Sequence, residues 1–371
     1  MRWLRPGGHL DRYVARLFTM SYVTAFFLVV GLYVIIDLSV NLDEYLEEHA
    51  DGTTPGLLQV MRYYGLHLPF LYLEMSPFVT LVAGLFAATR MVRNNEVAAA
   101  LGAGVSSRRL FAPVYVGALV LAGGMFVLRE WATGAISTER DELREYLLEQ
   151  QDELVYRNLW VRDTDGRRVR VESYRPEGPS GGPECGGLLA RLTGGEASVA
   201  IDAVRAYAPE RVDGRWRWRL QDGFRTAVEA EGREREALAV FDQVDVGPGD
   251  MQLAWRGRER PLDLSFAQAG DLLSRDPDNL QYRTVRQYHL TFPLAGLVLL
   301  LVGLPFLVGQ ERGRGVERVA VGILLCMAYF AVDFVTRTLG LQGQIGPVYA
   351  AWFPLVLFGS LGVVLFGSMR S

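Results

Sequence analysis

Residues 17–36 read LFTMSYVTAFFLVVGLYVII, an unbroken run with no charged residue. As an α-helix, a run of that length rises ~30 Å, the thickness of a bilayer's hydrocarbon core. Five further stretches are of similar length and character: 64–88, 110–129, 288–308, 319–336 and 347–368, the last again without charge. Soluble helices of this length normally keep a polar face. The sequence therefore predicts six transmembrane helices. The first is too long for the apolar core of a secretory signal and has no A-x-A site before its polar flank, so it is expected to persist as an anchor. A mean hydropathy of only +0.13 over the chain is the average of these runs and a polar remainder.

Arginines near the ends of the runs set the expected orientation. Arg2, Arg5, Arg12 and Arg16 precede the first run. Arg90, Arg93, Arg108 and Arg109 follow the second, Arg312, Arg314 and Arg318 follow the fourth, and Arg370 follows the last. The short loops of the opposite side hold only Arg62 and Arg337. Both termini are expected in the cytoplasm. The loop after the first run is acidic, with Asp43, Glu44, Glu47, Glu48 and Asp51.

The polar remainder, 131–286, falls on the outer side and separates residues 1–130, with three spans, from 287–371, with three more. It carries short alternating runs such as Val169–Val171 and Arg215-Trp-Arg-Trp-Arg-Leu220. Asp165-Gly166, Asp213-Gly214 and Asp222-Gly223 read as turns, and Pro176 to Gly187 as a loop. Many short strands with regular turns describe a sandwich, barrel or jellyroll. Helices are expected at 137–152 and 264–275 on either side of it.

Composition also excludes chemistry. All 38 basic residues are arginine, so no P-loop, whose motif requires lysine, can exist in the chain. His9, His49, His67 and His289 are scattered, and no cluster with Cys185 or Cys326 has zinc-ligand spacing. No nucleophile elbow precedes a helix. The chain reads as a non-enzyme without a bound cofactor.

The segment most able to carry function follows the second span: Arg90-Met-Val-Arg-Asn-Asn-Glu-Val-Ala-Ala-Ala-Leu-Gly-Ala-Gly-Val-Ser-Ser-Arg-Arg109. Residues 95–101 favour helix, and Gly102 and Gly104 stop it. Such a short helix either docks a motor protein, with Arg93 and Glu96 in polar contacts and Val97, Ala100 and Leu101 filling a groove, or merely caps the bundle.

Leu10-Asp-Arg-Tyr13 before the first span, Asn95-Glu-Val-Ala-Ala-Ala-Leu-Gly-Ala-Gly-Val-Ser106 after the second, Arg129-Glu-Trp131 leaving the third and Arg286-Gln-Tyr-His-Leu-Thr-Phe-Pro293 entering the fourth resemble the lipopolysaccharide export permease family. These are the F and G membrane subunits (LptF/LptG) of an ABC exporter. The resemblance covers essentially the whole chain, and the L-D-R-Y start looks more like the G subunit. It implies a periplasmic β-jellyroll domain in an inner-membrane protein. It also implies a second permease of the same fold, a cytoplasmic ATPase homodimer that uses ATP and Mg, and periplasmic jellyroll proteins that carry the lipid toward the outer membrane. Residues 91–105, with Asn95 and Glu96, match the family's coupling helix. Helices one and five match its lateral gates.

Other candidates are weighed beside that resemblance. Tyr22, Phe26, Val29 and Tyr33 form one stripe on the first span, either for acyl chains or for ordinary packing. Glu74 sits at mid-depth on the second span, with His67 two turns earlier on the same face and Pro77 just beyond. It marks a polar spot in a substrate cavity or a carboxyl bonded to a neighbouring helix. Asp333 and Arg337, four apart beside Phe330 and Phe334, form a self-neutralising pair or offer a cation to lipid phosphate. Asp37, Asp43 and Glu44 make the outer end of the first span acidic, leaving Arg62, Arg337 or the partner permease to meet a phosphate. Trp216 and Trp218 share a strand face, either core or lipid groove. A permease for another lipid or lipoprotein, and a non-transport envelope scaffold or sensor, are the alternative functions.

Overall fold

The computed structural model describes residues 8–46, 56–148, 155–163, 165–178, 181–194, 197–229, 232–242, 244–308 and 315–369. Arg2, Arg5, Glu47, His49, Glu48, Asp51, Arg312, Arg314, Arg370 and the Arg318 side chain lie outside this description.

Among the described residues, six helices are long and apolar enough to cross a membrane. They are α1 (His9–Val40), α3 (Leu57–Arg93), α5 (Ser107–Ala135), the run from α9 (Leu280–Thr291) into α10 (Ala295–Val308), α11 (Gly315–Leu341) and α12 (Pro347–Ser368). The short α2 (Leu42–Leu46) follows α1, and α4 (Glu96–Gly102) links α3 to α5. The chain divides into two compact units. The helical unit holds these elements. The other unit holds 141–282.

Within the helical unit α3 is among the most buried spans, and α1 is the most exposed. Close approach of α3 to α10 depends on small residues, as is common where packing rather than water drives association. A Cβ at Gly84 would lie 2.2 Å from Leu300, and one at Gly303 would lie 3.1 Å from Leu81. Gly340 plays the same role between α11 and α12: its added Cβ would stand 2.3 Å from that of Ala350. Neither atom can rotate away. Gly340→Ala is therefore expected to cost about 1–3 kcal/mol by forcing the helices apart. A lowered melting temperature of the detergent-solubilised protein checks this, and an unchanged one contradicts it.

The second unit is built on one antiparallel sheet in the order β1-β2-β3-β4-β5-β6, with β7 also pairing β5. The strands are β1 (Tyr156–Arg162), β2 (Arg168–Gly178), β3 (Gly182–Gly194), β4 (Ala197–Val212), β5 (Arg215–Glu229), β6 (Gly232–Ala237) and β7 (Val240–Phe241). A line of irregular positions crosses it. Asn158, Gly187 and Asp222, on alternate strands, all have positive φ, and the residues that face one another are skipped in the register there. The sheet bends along this line. Residues on both sides of it, Leu159, Val171 and Leu188 on one and Tyr174, Cys185 and Leu220 on the other, share one core. This is the jellyroll-type insertion expected between the two sets of three spans.

Three local expectations are corrected. Asp222-Gly223 is not a turn: β5 runs through it, and the positive φ serves the bend. Pro176 to Gly187 is largely strand, with β2 and β3 joined by a hairpin at Gly181. α7 (Pro248–Glu259) was not foreseen, although Gly247-Pro248 and Asp250, whose carboxylate accepts from the Gly247 N–H at 2.8 Å, spell a helix start. The two expected flanking helices are α6 (Ser137–Leu148) and α8 (Phe266–Arg275), the latter opened by a Ser265/Gln268 capping box. Asp213-Gly214 does make the β4–β5 turn, with both φ positive.

Candidate functional site

The α3–α5 connection is built by backbone chemistry first. Asn95 ends α3 in the left-handed region, at φ 58, which asparagine tolerates better than most residues. That reversal starts α4 at Glu96. Gly104, at φ 80, reverses the chain again before Ser106 caps α5 by accepting from the Arg109 N–H. The helix within the stretch expected to couple is thus Glu96–Gly102, shorter than 91–105, because α3 extends through Arg93.

Two residues of the Leu10–Tyr13 motif hold both ends of this connection. The Tyr13 hydroxyl donates to both Glu96 carboxylate oxygens, at 3.0 and 2.9 Å, and Asn94 Nδ2 donates to Oε1 at 3.1 Å. Asp11 receives a bidentate pair from Arg109, each bond 2.6 Å, the geometry that makes arginine–carboxylate pairs directional. Arg108 donates to the Gly367 and Met369 carbonyls at the end of α12. Val97 is buried in the bundle core, and Ala100 and Leu101 pack against it. Val97 therefore seats α4 on its own bundle, with Ala100 and Leu101 half-buried beside it. The exposed surface is Arg93, Asn94, Asn95, Ala98, Ala99 and Gly102 to Gly104, with Glu96 half-buried.

Tyr13→Phe removes the hydroxyl and leaves the ring. An exposed bond to a carboxylate is worth ~1 kcal/mol, so amides of 96–102 should exchange about fivefold faster. Unchanged exchange would show that Tyr13 does not hold α4.

Near the C-terminal end of α11, Asp333 and Arg337 do not pair directly. Both meet the Tyr288 hydroxyl of α9. Arg337 donates to it at 2.7 Å, and it donates to Asp333 at 3.4 Å. Tyr288 and Asp333 are buried. Sequence spacing along one helix could not show this third partner. Arg129 of α5 meets His289 at 3.1 Å, the neighbouring position on α9. Phe330 packs partly buried against the α10–α12 core, while Phe334 is exposed. Arg62 pairs with Glu139 at 2.5 Å, both well exposed, and such pairs are weak.

On α1 the stripe faces inward. The Tyr22 hydroxyl meets that of Tyr72 at 2.9 Å, Phe26 packs edge-on to Tyr72, and Tyr22, Phe26 and Val29 lie against the bundle core; Tyr33 is half-buried. The open apolar face is instead Met20, Val23, Phe27 and Ile35. Glu74 is exposed on α3, not bonded into a neighbouring helix, and His67 stacks on Tyr63. At the outer end of α1, Asp37 accepts from Tyr64 at 2.7 Å.

In the β unit Trp218 is 1% exposed, and its indole N–H donates to the Val246 carbonyl at 2.7 Å. It is core, not groove wall. Trp216 is half-buried, with its ring against Gly247, where a Cβ would leave it no room. Cys185 is buried in the same core, and burial pushes its thiol up, out of reach of nucleophilic chemistry. The free edge of β1 is capped. Arg258 donates to the Arg157 and Asn158 carbonyls, and Arg275 to that of Arg162. Covered edges resist strand addition; β6 lies at the opposite end of the strand order. Among the described residues no group of His, Cys, Asp and Glu has the arrangement of a metal site.

The family model described as lipopolysaccharide export system permease LptF/LptG matches residues 12–368. No individual curated protein matches the chain. The match begins at Arg12 and runs through both sets of spans and the inserted sheet.

Proposed function

The chain belongs to the LptF/LptG family of lipopolysaccharide export permeases, and we propose that it is the G-type permease of an ABC exporter. In this reading it lifts lipopolysaccharide from the inner membrane and passes it to a line of periplasmic jellyrolls. A partner ATPase dimer closes on ATP and pushes on α4. The push passes to α1 through Tyr13 and Asp11 and to α12 through Arg108, because those bonds tie the segment to both helices. A second permease of the same fold faces the open apolar surfaces of α1 and α11, which carry Val23, Phe27, Phe334 and Val335. The unbonded Glu74 then lies toward the shared cavity or the partner permease, since an exposed carboxylate at mid-depth is costly against lipid.

The observation that carries this reading is the clamped, partly exposed α4. A scaffold or sensor has no use for a short helix tied to two spans. The arginine distribution supports cytoplasmic termini and a periplasmic β unit. The β6 edge is where a neighbouring jellyroll adds its strand. Purification in mild detergent followed by mass spectrometry tests all of this together. An ATPase, a second permease and lipopolysaccharide are the expected companions. A different lipid would move the chain to another exporter, and the absence of any ATPase would favour the scaffold.

A further inference from the structure

The surface of the β unit carries a groove of ≈ 320 Å³ where β1 and the start of β2 meet α7, the residues before α9 and the first residues of α9, which belong to this unit. Its volume lies in the range of small-ligand sites, ~300–1,000 Å³. Three arginines stand abreast beside it, each directly opposite the next: Arg162 on β1, Arg168 on β2 and Arg191 on β3. Like charges in register are destabilising, and only the first is neutralised, by Asp276 at 2.6 Å. Arg168 and Arg191 are exposed and donate to no described residue. The sheet thus holds two uncommitted guanidinium groups at the rim of a cleft, at a cost that a bound anion removes.

The rest of the lining says what carries the anion. Trp160 lies 57% exposed on the groove wall, with Arg170 5.7 Å from its ring centroid. An apolar ring face left open beside hydrogen-bonding groups suits the C–H face of a pyranose, as an amphipathic surface does. Those groups are the Tyr282 hydroxyl, which has no partner among the described residues, and Gln281, whose side-chain N–H₂ donates to the Gly257 carbonyl at 3.3 Å and whose oxygen accepts from no described residue. Arg258, the remaining guanidinium in the groove, is spent on β1 carbonyls.

We propose that this groove binds a phosphorylated sugar, with the phosphate between Arg168 and Arg191 and the ring over Trp160. The site would bind such a ligand whether or not the chain moves lipid, so it stands or falls apart from the export reading.

Calorimetric titration of the full chain in detergent with glucosamine 6-phosphate, glucosamine and inorganic phosphate tests it. One saturable site for the phosphosugar is expected, with glucosamine and phosphate each at least about tenfold weaker. Arg168→Ala and Trp160→Ala should each weaken it about tenfold without lowering the melting temperature, and Arg168→Lys should recover part of the loss, since it keeps charge without the fork. Equal binding of phosphate alone, or phosphosugar binding indifferent to both alanine variants, overturns the proposal. A phosphorylated glycolipid in mixed micelles that competes through the same residues identifies a lipid head as the source. Competition by the free saccharide alone identifies a soluble one.

Discussion

Glu96→Arg should abolish capture of the partner ATPase and, with it, export. Glu96 accepts from Tyr13 and Asn94 and sits in the first turn of α4, where a negative charge is favoured and a positive one is not. The last turn of α3 already presents Arg90 and Arg93, so the new arginine adds like charge to the same surface. Reversing a contact charge at an interface costs about 2–5 kcal/mol, roughly thirtyfold to several thousandfold in affinity. Membrane insertion should be unchanged and the melting temperature should fall only slightly, since Glu96 gives up exposed bonds and no core packing. Undiminished ATPase capture in a pull-down, together with normal export, would remove Glu96 from the coupling surface.

The largest effect on stability is expected at Trp218→Ala. The indole is fully enclosed by the β-unit core and satisfies the Val246 carbonyl. Removing it leaves a cavity and an orphaned acceptor, a loss of about 3–5 kcal/mol. In a unit of this size that lowers the melting temperature by roughly 10–20 °C. Trp216→Ala, two residues away on the same strand, should cost far less, because its ring is half-exposed and its indole N–H bonds nothing described. Equal losses at the two positions would contradict the assignment of Trp218 to the core and Trp216 to its margin.

The spans were legible because apolar runs such as 17–36 leave a helix no other solvent. The short α4 was legible because alanine and leucine favour helix between an asparagine and two glycines. The bend in the sheet was not. Asp222-Gly223 carries the same turn chemistry as Asp213-Gly214, and only pairing with β4 and β6 decides that one is a hairpin and the other a kink. The site residues split the same way. Glu96 stood out by its place in a motif, but its partner Tyr13 lies 83 residues away. Tyr288, between Asp333 and Arg337, belongs to a different helix. Asp11 with Arg109, Tyr13 with Glu96, and Arg129 with His289 are long-range pairs whose members all lie in, or within a few residues of, the motifs that carry the family resemblance. The stripe on α1 had the correct period, and of its two open readings the structure shows packing; periodicity marks a face without saying what it meets.

The central claim is that ATP-driven motion of α4 moves lipopolysaccharide into the β unit. Its most direct test places a photo-crosslinking residue at Leu238, half-buried at the margin of the β-unit core, in membrane vesicles that contain the assembled complex and lipopolysaccharide. Adducts should accumulate on adding ATP and Mg and stay at the ATP-free level in the Glu96→Arg variant. Adducts that form equally without ATP, or equally in that variant, would contradict it.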